Sequence, residues 1–258
     1  MNGVSRLEAD DLQVRLGARG VLQGVTFALL PRELVLLAGR NGAGKSTLMR
    51  SLIGALRPEA GDVRLGGRSI SAWAPRARAQ QVAFVPQDTE MAFDFTGREL
   101  VTMGRHPHRG RSEALRDEDL RAIDRALQLV DATAFAERAV TTLSGGEQRR
   151  IAVARALATE APLLLLDEPT GNLDLEHALQ LVQLLRSLAA DGHGVLVASH
   201  DLNLLAPHCD RVVMLHEGRI RVDAPPAQAL SPEHVHEVFG VQSRPPAAGQ
   251  FFPREFTL

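Results

Sequence analysis

Leu34-Val35-Leu36-Leu37-Ala38 runs directly into Gly39-Arg40-Asn41-Gly42-Ala43-Gly44-Lys45-Ser46-Thr47. The first part is a continuous apolar run, the pattern of a strand buried on both faces of a parallel sheet. Gly39 to Ser46 fits G-x-x-x-x-G-K-[ST] in full. Beyond it, Leu48, Met49, Leu52, Ile53 and Leu56 recur at helical spacing. Strand, glycine loop and helix in that order make a phosphate cradle. The glycines let successive backbone N–H groups converge on phosphate oxygens, and the helix contributes its positive N-terminal end. Lys45 supplies a compact, mobile cation where the wide planar fork of arginine would crowd the loop. Ser46 offers its hydroxyl to Mg²⁺. Composition adds weight, because only one of the 29 basic residues is a lysine and it is this one.

Outward from the loop, the chain alternates in period. Leu12, Val14 and Leu16 alternate with polar neighbours, and Val25 to Leu29 forms a second candidate strand before Pro31, so the N-terminus reads as antiparallel sheet. A short strand over 82–85 ends at Pro86-Gln87. From about residue 88 the texture turns helical, and Leu115, Leu120, Ile123, Leu127 and Val130 predict one apolar stripe. The expectation is an α-helical insertion over about 88–157, closing with a helix over 147–158. A buried strand over 163–166, a helix over 175–189 and another buried strand over 195–198 follow, so strand–helix alternation returns. Residues 212–215 and 219–222 flank His216-Glu217-Gly218 as a hairpin, and Ser231-Pro232-Glu233 caps a last helix ending near Gly240. No internal repeat is evident. The expected fold is α/β: a mostly parallel sheet, an N-terminal antiparallel β subdomain and an inserted α-helical subdomain, in one domain over 1–241 with a tail over 242–258.

A second chemical feature stands at Leu163-Leu164-Leu165-Leu166-Asp167-Glu168-Pro169. A buried strand that delivers two acids at its C-terminal end sets them beside the phosphate loop, where parallel sheets bind ligands. Asp167 suits the Mg²⁺ shell, and Glu168 suits orientation and deprotonation of an attacking water. Global bounds agree with a globular enzyme. With 258 residues, 45% hydrophobic, there is material for a real core. A net charge of −2 argues against nucleic acid or an anionic membrane as the main partner. The single Cys209 closes no intrachain disulfide, which fits a reducing compartment. The first residues carry charges where a signal peptide has its apolar segment, and no run approaches the roughly 18 apolar residues of a membrane span. If the protein works at a membrane, another chain is expected to cross it.

Leu143-Ser144-Gly145-Gly146-Glu147-Gln148 alone is a capped helix start. Taken with the phosphate loop, the acid pair, Gln87 and His200, it resembles the ATP-binding-cassette (ABC) ATPases, from about Leu7 to Val241. The resemblance implies a P-loop NTPase core that uses ATP and Mg²⁺. It implies that Gln87 is the Q-loop glutamine, Leu143 to Gln148 the signature, Gly171-Asn172-Leu173-Asp174 the D-loop and His200 the switch histidine facing the γ-phosphate. Glu168, His200 and Gln87 are then catalytic, residues 39–47 bind nucleotide, and Ser46, Gln87 and Asp167 hold the metal. In that family two cassettes sandwich ATP, so a homodimer is implied, with Ser144 and Gly146 acting in trans. One departure stands out: an adenine-stacking aromatic is usual on the early strand, and Leu16 occupies that place in a chain without tyrosine. Weaker ATP affinity and loose base selectivity are expected, since stacking is worth about 1 to 3 kcal/mol.

The interval from Lys45 to Asp167 leaves no room for a long coiled coil, and one cassette stands without a fused membrane span. A separate ATPase subunit is what remains. Phe93-Asp94-Phe95-Thr96, then Glu99 to His108 with Gly104-Arg105-His106-Pro107-His108, resembles the importers of iron–siderophore complexes, haem and cobalamin, as does Asp201-Leu202-Asn203. That implies integral-membrane permease subunits as direct partners, a substrate-binding protein as an indirect one, and a peripheral position on the cytoplasmic face of the membrane. His106 and His108 read as part of an exposed or permease-facing loop rather than as metal ligands. The alternatives are a stand-alone ABC ATPase serving a soluble assembly or cell-division complex, another transporter branch, or a regulatory nucleotide-binding module with little turnover.

Overall fold

A computed structural model describes residues 6–87, 94–110, 113–244 and 255–257. Strands β1 (Leu7–Leu16) and β2 (Arg19–Leu29) run antiparallel, with Leu7 opposite Leu29 and Leu16 opposite Arg19. Alternation sends Leu12, Val14, Val25 and Phe27 inward. Strand β3 (Leu34–Ala38) belongs to a different sheet and is buried at every position, and the loop after it feeds α1 (Lys45–Leu52). The chain then returns to the first sheet with β4 (Ala60–Leu65) and β5 (Arg68–Ser69), in the order β2-β1-β4-β5. Sequence reasoning missed these two strands. Their inward residues Val63 and Leu65 are hidden among glycines at 61, 66 and 67 that read as loop.

Helix α2 (Pro75–Ala79) precedes β6 (Val82–Val85). Three mutually packed helices follow: α3 (Gly97–Met103), α4 (Asp117–Leu129) and α5 (Gly145–Leu157). The chain continues as β7 (Leu163–Asp167), α6 (Leu175–Ala190), β8 (Gly194–Ala198), α7 (Leu202–Leu205), β9 (Arg211–His216), β10 (Arg219–Ala224), α8 (Pro226–Ala229) and α9 (Pro232–Phe239). Beyond the last helix, β11 (Gln242–Arg244) pairs with β12 (Glu255–Thr257), so the tail contributes a two-stranded ladder. The central sheet has the order β10-β9-β3-β8-β7-β6, parallel from β9 to β6 with β10 as its antiparallel edge.

Alternation along the central strands builds two cores. Leu34, Leu36, Leu164, Leu166, Val195 and Val197 face the helices, whereas Val35, Leu37, Leu163, Leu165 and Leu196 face α1 and the antiparallel sheet. Parallel strands covered on both sides need such unbroken apolar runs.

Two expectations need correction. The stripe on α4 is formed by Ala122, Ile123, Ala126 and Leu127, whereas Leu120 is 43% exposed. At 100° per residue Leu120 falls at the rim of that face, whose centre lies between Ile123 and Ala126. The Gly104–His108 stretch is also no simple exposed loop. Arg105 is 4% exposed and pairs with Asp119, itself 2% exposed, at 2.8 Å. It also donates to the Ala158 carbonyl and to Glu160. His108 is half-buried with Nε2 2.7 Å from the Thr159 carbonyl, and the Pro107 carbonyl accepts bonds from Arg76 in the first turn of α2 and from Gln80 just past its end. Of the two histidines, His106 is the exposed one. Phe93 lies outside the described residues.

Candidate functional site

The loop between β3 and α1 depends on glycine at two places. Gly44 has φ +111, and a Cβ there would stand 2.9 Å from Leu22 Cδ2; a Cβ on Gly39, φ +153, would overlap the Leu215 carbonyl oxygen. Both positions favour a residue without a side chain. Inside the turn, Lys45 is buried and Nζ donates to the Gly39 carbonyl at 2.7 Å and more loosely to that of Arg40 at 3.4 Å. Burial holds the ammonium below the ordinary lysine range, opposed by the negative charges of Glu168 and Asp167.

The acid pair arrives from β7. Asp167 is buried, and burial raises its carboxyl; a hydrogen bond from Ser46 and the charges of Lys45 and Arg50 act the other way, while Glu168 adds to the rise. Its Oδ1 is buried without a hydrogen-bond partner. An orphaned buried carboxylate oxygen next to a serine hydroxyl is a hard-oxygen donor set that fits Mg²⁺. Glu168 has φ +49, a left-handed conformation that costs a non-glycine residue of order 1 to 3 kcal/mol. Its backbone N–H donates to the Ala198 carbonyl at 2.8 Å, and Oε2 accepts from Ser199 Oγ at 3.2 Å. His200 Nδ1 lies 3.0 Å from the same oxygen. Neighbouring strands β7 and β8 therefore deliver Glu168, Ser199 and His200 to one point, as adjacent parallel strands do at their carboxyl ends.

Asn41, Gly42, Gly44, Lys45, Ser46, Thr47, Gln87, Asp167, Glu168 and His200 line one open cleft of about 750 Å³. Leu16, 49% exposed, borders it together with Arg19 and Val21. Gly39, Arg40 and Ala43 shape the loop behind; the first two give Lys45 its carbonyl partners.

The residues expected to form the signature lie apart from the acid pair, whereas the expected D-loop spans the two places: Gly171 and Asn172 line the cleft, and Leu173 and Asp174 lie with the signature residues. Ser144, Gly145, Gly146 and Glu147 share a depression of about 650 Å³ with Asn172, Leu173, Asp174 and His177. Here Ser144 caps α5: its hydroxyl accepts from Glu147 N, and the Glu147 carboxylate accepts from Ser144 N at 2.7 Å. That backbone bond is the largest of the effects holding the Glu147 carboxyl low. Gln148 donates to the carbonyls of Val140 and Leu143, so its amide fixes the entry to the helix. Asp174 caps α6 by accepting from His177 N at 2.9 Å and lies 2.7 Å from His177 Nδ1. Asn172, at φ +65, borders both the cleft and the depression.

Besides Arg19 and Val21 at the rim, two residues at or just behind the cleft escaped sequence reasoning. Ser199 has no motif to mark it. Arg149 did leave a signal: it falls on the buried side of α5 with Ala152, Val153 and Ala156, and an arginine there demands a partner. Its guanidinium donates to the carbonyls of Pro86 and Gln87.

Comparison with known proteins adds the following. The family model described as ABC transporter matches residues 22–171. A hemin import ATP-binding protein, HmuV, of Rhodococcus jostii is 42% identical over 239 residues, covering 93% of this chain and 81% of its own. HmuV of Rhizobium meliloti is 39% identical with 92% of both chains covered. A cobalamin import ATP-binding protein, BtuD, of Halobacterium salinarum is 41% identical over 234 residues, covering 90% of this chain. The chain spans only 58% of that relative's length. Among solved structures, a chain from a metal-chelate type ABC transporter in an inward-facing conformation aligns with TM-score 0.82 at 27% identity, covering 98% of this chain and 97% of that one. A dimeric bacterial ABC transporter cassette aligns with TM-score 0.77, also at 27% identity, over 85% of this chain and 98% of the other.

Proposed function

The chain belongs to the ABC transporter ATP-binding family, and from that premise we propose that it is the ATP-hydrolysing, energy-coupling subunit of an importer for an iron complex, ferric siderophore or haem, or for cobalamin. Relatives near 40% identity are named for hemin and cobalamin import, which supports the solute class. The single observation that carries the catalytic reading is the meeting of the phosphate loop with two inequivalent acids in one cleft. Asp167 presents an orphaned oxygen beside Ser46, while Glu168 is clamped by Ser199 and His200.

In this reading the backbone N–H groups of residues 39–47 wrap the phosphates of ATP. Lys45 leaves its carbonyl partners for phosphate oxygens, an exchange made easy because those carbonyls are neutral. Ser46, Asp167 and Gln87 would hold Mg²⁺, which when bound would neutralise phosphate charge. Glu168 accepts a proton from the attacking water, its oxygen aimed by the Ser199 hydroxyl, and His200 turns its free ring nitrogen to the γ-phosphate. Phosphoryl transfer of this kind is positioning and charge stabilisation more than covalent chemistry.

Leu143 to Gln148 and Asp174 serve the partner's nucleotide in a homodimer of cassettes. Their separation from the acid pair within one chain supports action in trans. ATP closes the dimer, and α5 passes the movement toward integral-membrane permease subunits, with a substrate-binding protein beyond them. The location is the cytoplasmic face of the membrane, peripheral; among the described residues no helix is long and apolar enough to cross it. The domain is assigned to 1–241 with the tail at 242–258.

Co-expression with an importer permease from the same genome tests the reading. The expected outcome is a detergent-stable complex whose ATPase rate rises when loaded binding protein is added. Turnover by the chain alone, with no permease captured and a soluble complex purified instead, would overturn the importer assignment.

A further inference from the structure

Helix α5 begins at the signature and carries, just past its first turn, an arginine that points away from it. Arg149 is 4% exposed and donates from Nη1 to the Pro86 carbonyl at 2.8 Å and from Nη2 to the Gln87 carbonyl at 2.5 Å. Those carbonyls belong to the two residues that leave β6 for the cleft, and Arg149 itself borders the cleft beside Lys45, Asp167 and Glu168. Its neighbour Arg150 turns elsewhere, to the carbonyl and carboxylate of Asp131 at the end of α4. Consecutive arginines thus divide their work, one toward the helices and one toward the reaction centre.

A guanidinium is expensive to remove from water, and a planar fork holds two acceptors in a fixed relation that an ammonium cannot reproduce. Two charge-assisted bonds to adjacent carbonyls fix the direction in which the backbone leaves β6, and so the point from which the Gln87 side chain starts. The other end of the link is a helix of 13 residues whose cap, Ser144, sits in the signature depression. Any shift of that helix is passed by the fork to Gln87.

We propose that Arg149 is a positioning residue for ATP hydrolysis, holding Gln87 in the cleft in register with the signature helix, so that movement of α5 is delivered to the reaction centre. This rests on the reading of Gln87 given above, and the experiment separates the two.

Arg149→Met, Arg149→Lys, Gln87→Ala and the Arg149→Met/Gln87→Ala double variant are compared, with Arg121→Met, at an exposed position of α4, as control. The kcat and KM for ATP, the ATP Kd by equilibrium titration and the Tm are measured for each. Since a 1 Å misplacement costs up to about 10²-fold in rate, Arg149→Met should lower kcat by about 10- to 100-fold while the ATP Kd, carried by the phosphate loop, holds. Arg149→Lys should recover part of the rate, because an ammonium reaches one of the two carbonyls. Arg121→Met should keep the wild-type kcat. If Arg149 acts through Gln87, the double variant is no slower than Gln87→Ala alone. Multiplying losses in the double variant would overturn the proposal, as would a wild-type kcat in Arg149→Met beside a slow Gln87→Ala. So would a fall of kcat, affinity and Tm together with Lys no better than Met, the signature of a merely structural role. A fast Gln87→Ala would overturn the role of Gln87 and this proposal with it.

Discussion

Arg105→Met tests whether the Gly104–His108 stretch is a clamp inside the helical region. Arg105 Nε lies 2.8 Å from Asp119, Nη1 lies 2.8 Å from both the Ala158 carbonyl and Glu160, and both members of the first pair are almost sealed from solvent. Truncation leaves Asp119 buried with one remaining donor, the Arg116 backbone N–H at 3.0 Å, while Glu160 keeps Arg125 at 2.6 Å and is half in water. Breaking a buried pair in this one-sided way costs about 3 to 5 kcal/mol. At about 2 to 4 °C per kcal/mol for a chain of this size, Tm should fall by about 6 to 20 °C. Asp119→Leu should cost less, because Arg105 retains Ala158 and Glu160.

The Arg105→Met/Asp119→Leu double variant is the decisive arm. Two apolar side chains replacing both charges are expected to recover most of the loss, leaving about 1 kcal/mol for the missing acceptor in the first turn of α4. Thermal melts followed by far-UV circular dichroism, with ATP Kd as a check on the cleft, read this directly. A Tm within 2 °C of wild type for Arg105→Met, or additive losses in the double variant, would refute the buried-clamp argument. The pH dependence has a definite sign. Burial pushes the Asp119 carboxyl up, but the Arg116 N–H, the Arg105 bond and nearby arginine charge outweigh it, and the folded pKa is lowered. The pair's contribution is therefore complete above about pH 4, the unfolded carboxylate value, and is lost as pH falls through the lower folded one.

Glu168→Gln should bind ATP, hydrolyse it very slowly and accumulate a closed dimer on size-exclusion chromatography with ATP and Mg²⁺; rapid turnover would remove Glu168 from the role of base. Leu16→Tyr places a ring at the rim of the cleft and should tighten ATP by about 5- to 150-fold, the equivalent of about 1 to 3 kcal/mol of stacking, while sharpening preference for ATP over other nucleoside triphosphates. Equal affinities in a nucleotide titration would show that another group covers the base. Burial pushes the Cys209 thiol up to about 12, aided by Asp210. Native protein at pH 8 should therefore resist alkylation by iodoacetamide until denatured, and mass spectrometry showing fast native labelling would contradict that burial.

How much was legible in advance follows the range of the interaction responsible. β3, the phosphate loop and α1 could be read because their logic is local: an apolar run, glycines at forced backbone angles, and a helix start within a few residues. The acid pair and the separate roles of its members were legible, yet the contacts that make the two inequivalent were not. Asp167 keeps an orphaned oxygen and Glu168 is gripped by β8 only because strands distant in sequence lie in register, Asp167 beside Ala198. Leu120 was misassigned because a leucine count ignores helical phase, which puts Ala122 and Ala126 on the buried face and Leu120 at its rim. Arg105 and Arg149 teach the same lesson from opposite sides. Each is one arginine in an arginine-rich chain, with nothing in composition to separate it from Arg6 or Arg64 on the surface. What separates them is burial at 4% with carbonyl partners more than fifty residues away in sequence, Ala158 for the one and Pro86 and Gln87 for the other. Helical phase already marked Arg149, since a charge on the inward face of a helix must be compensated or abandoned. It follows that the informative arginines in such a chain are those whose position contradicts their solubility: Arg105 closes the helical region on itself, and Arg149 ties it to the residues that leave β6 for the cleft.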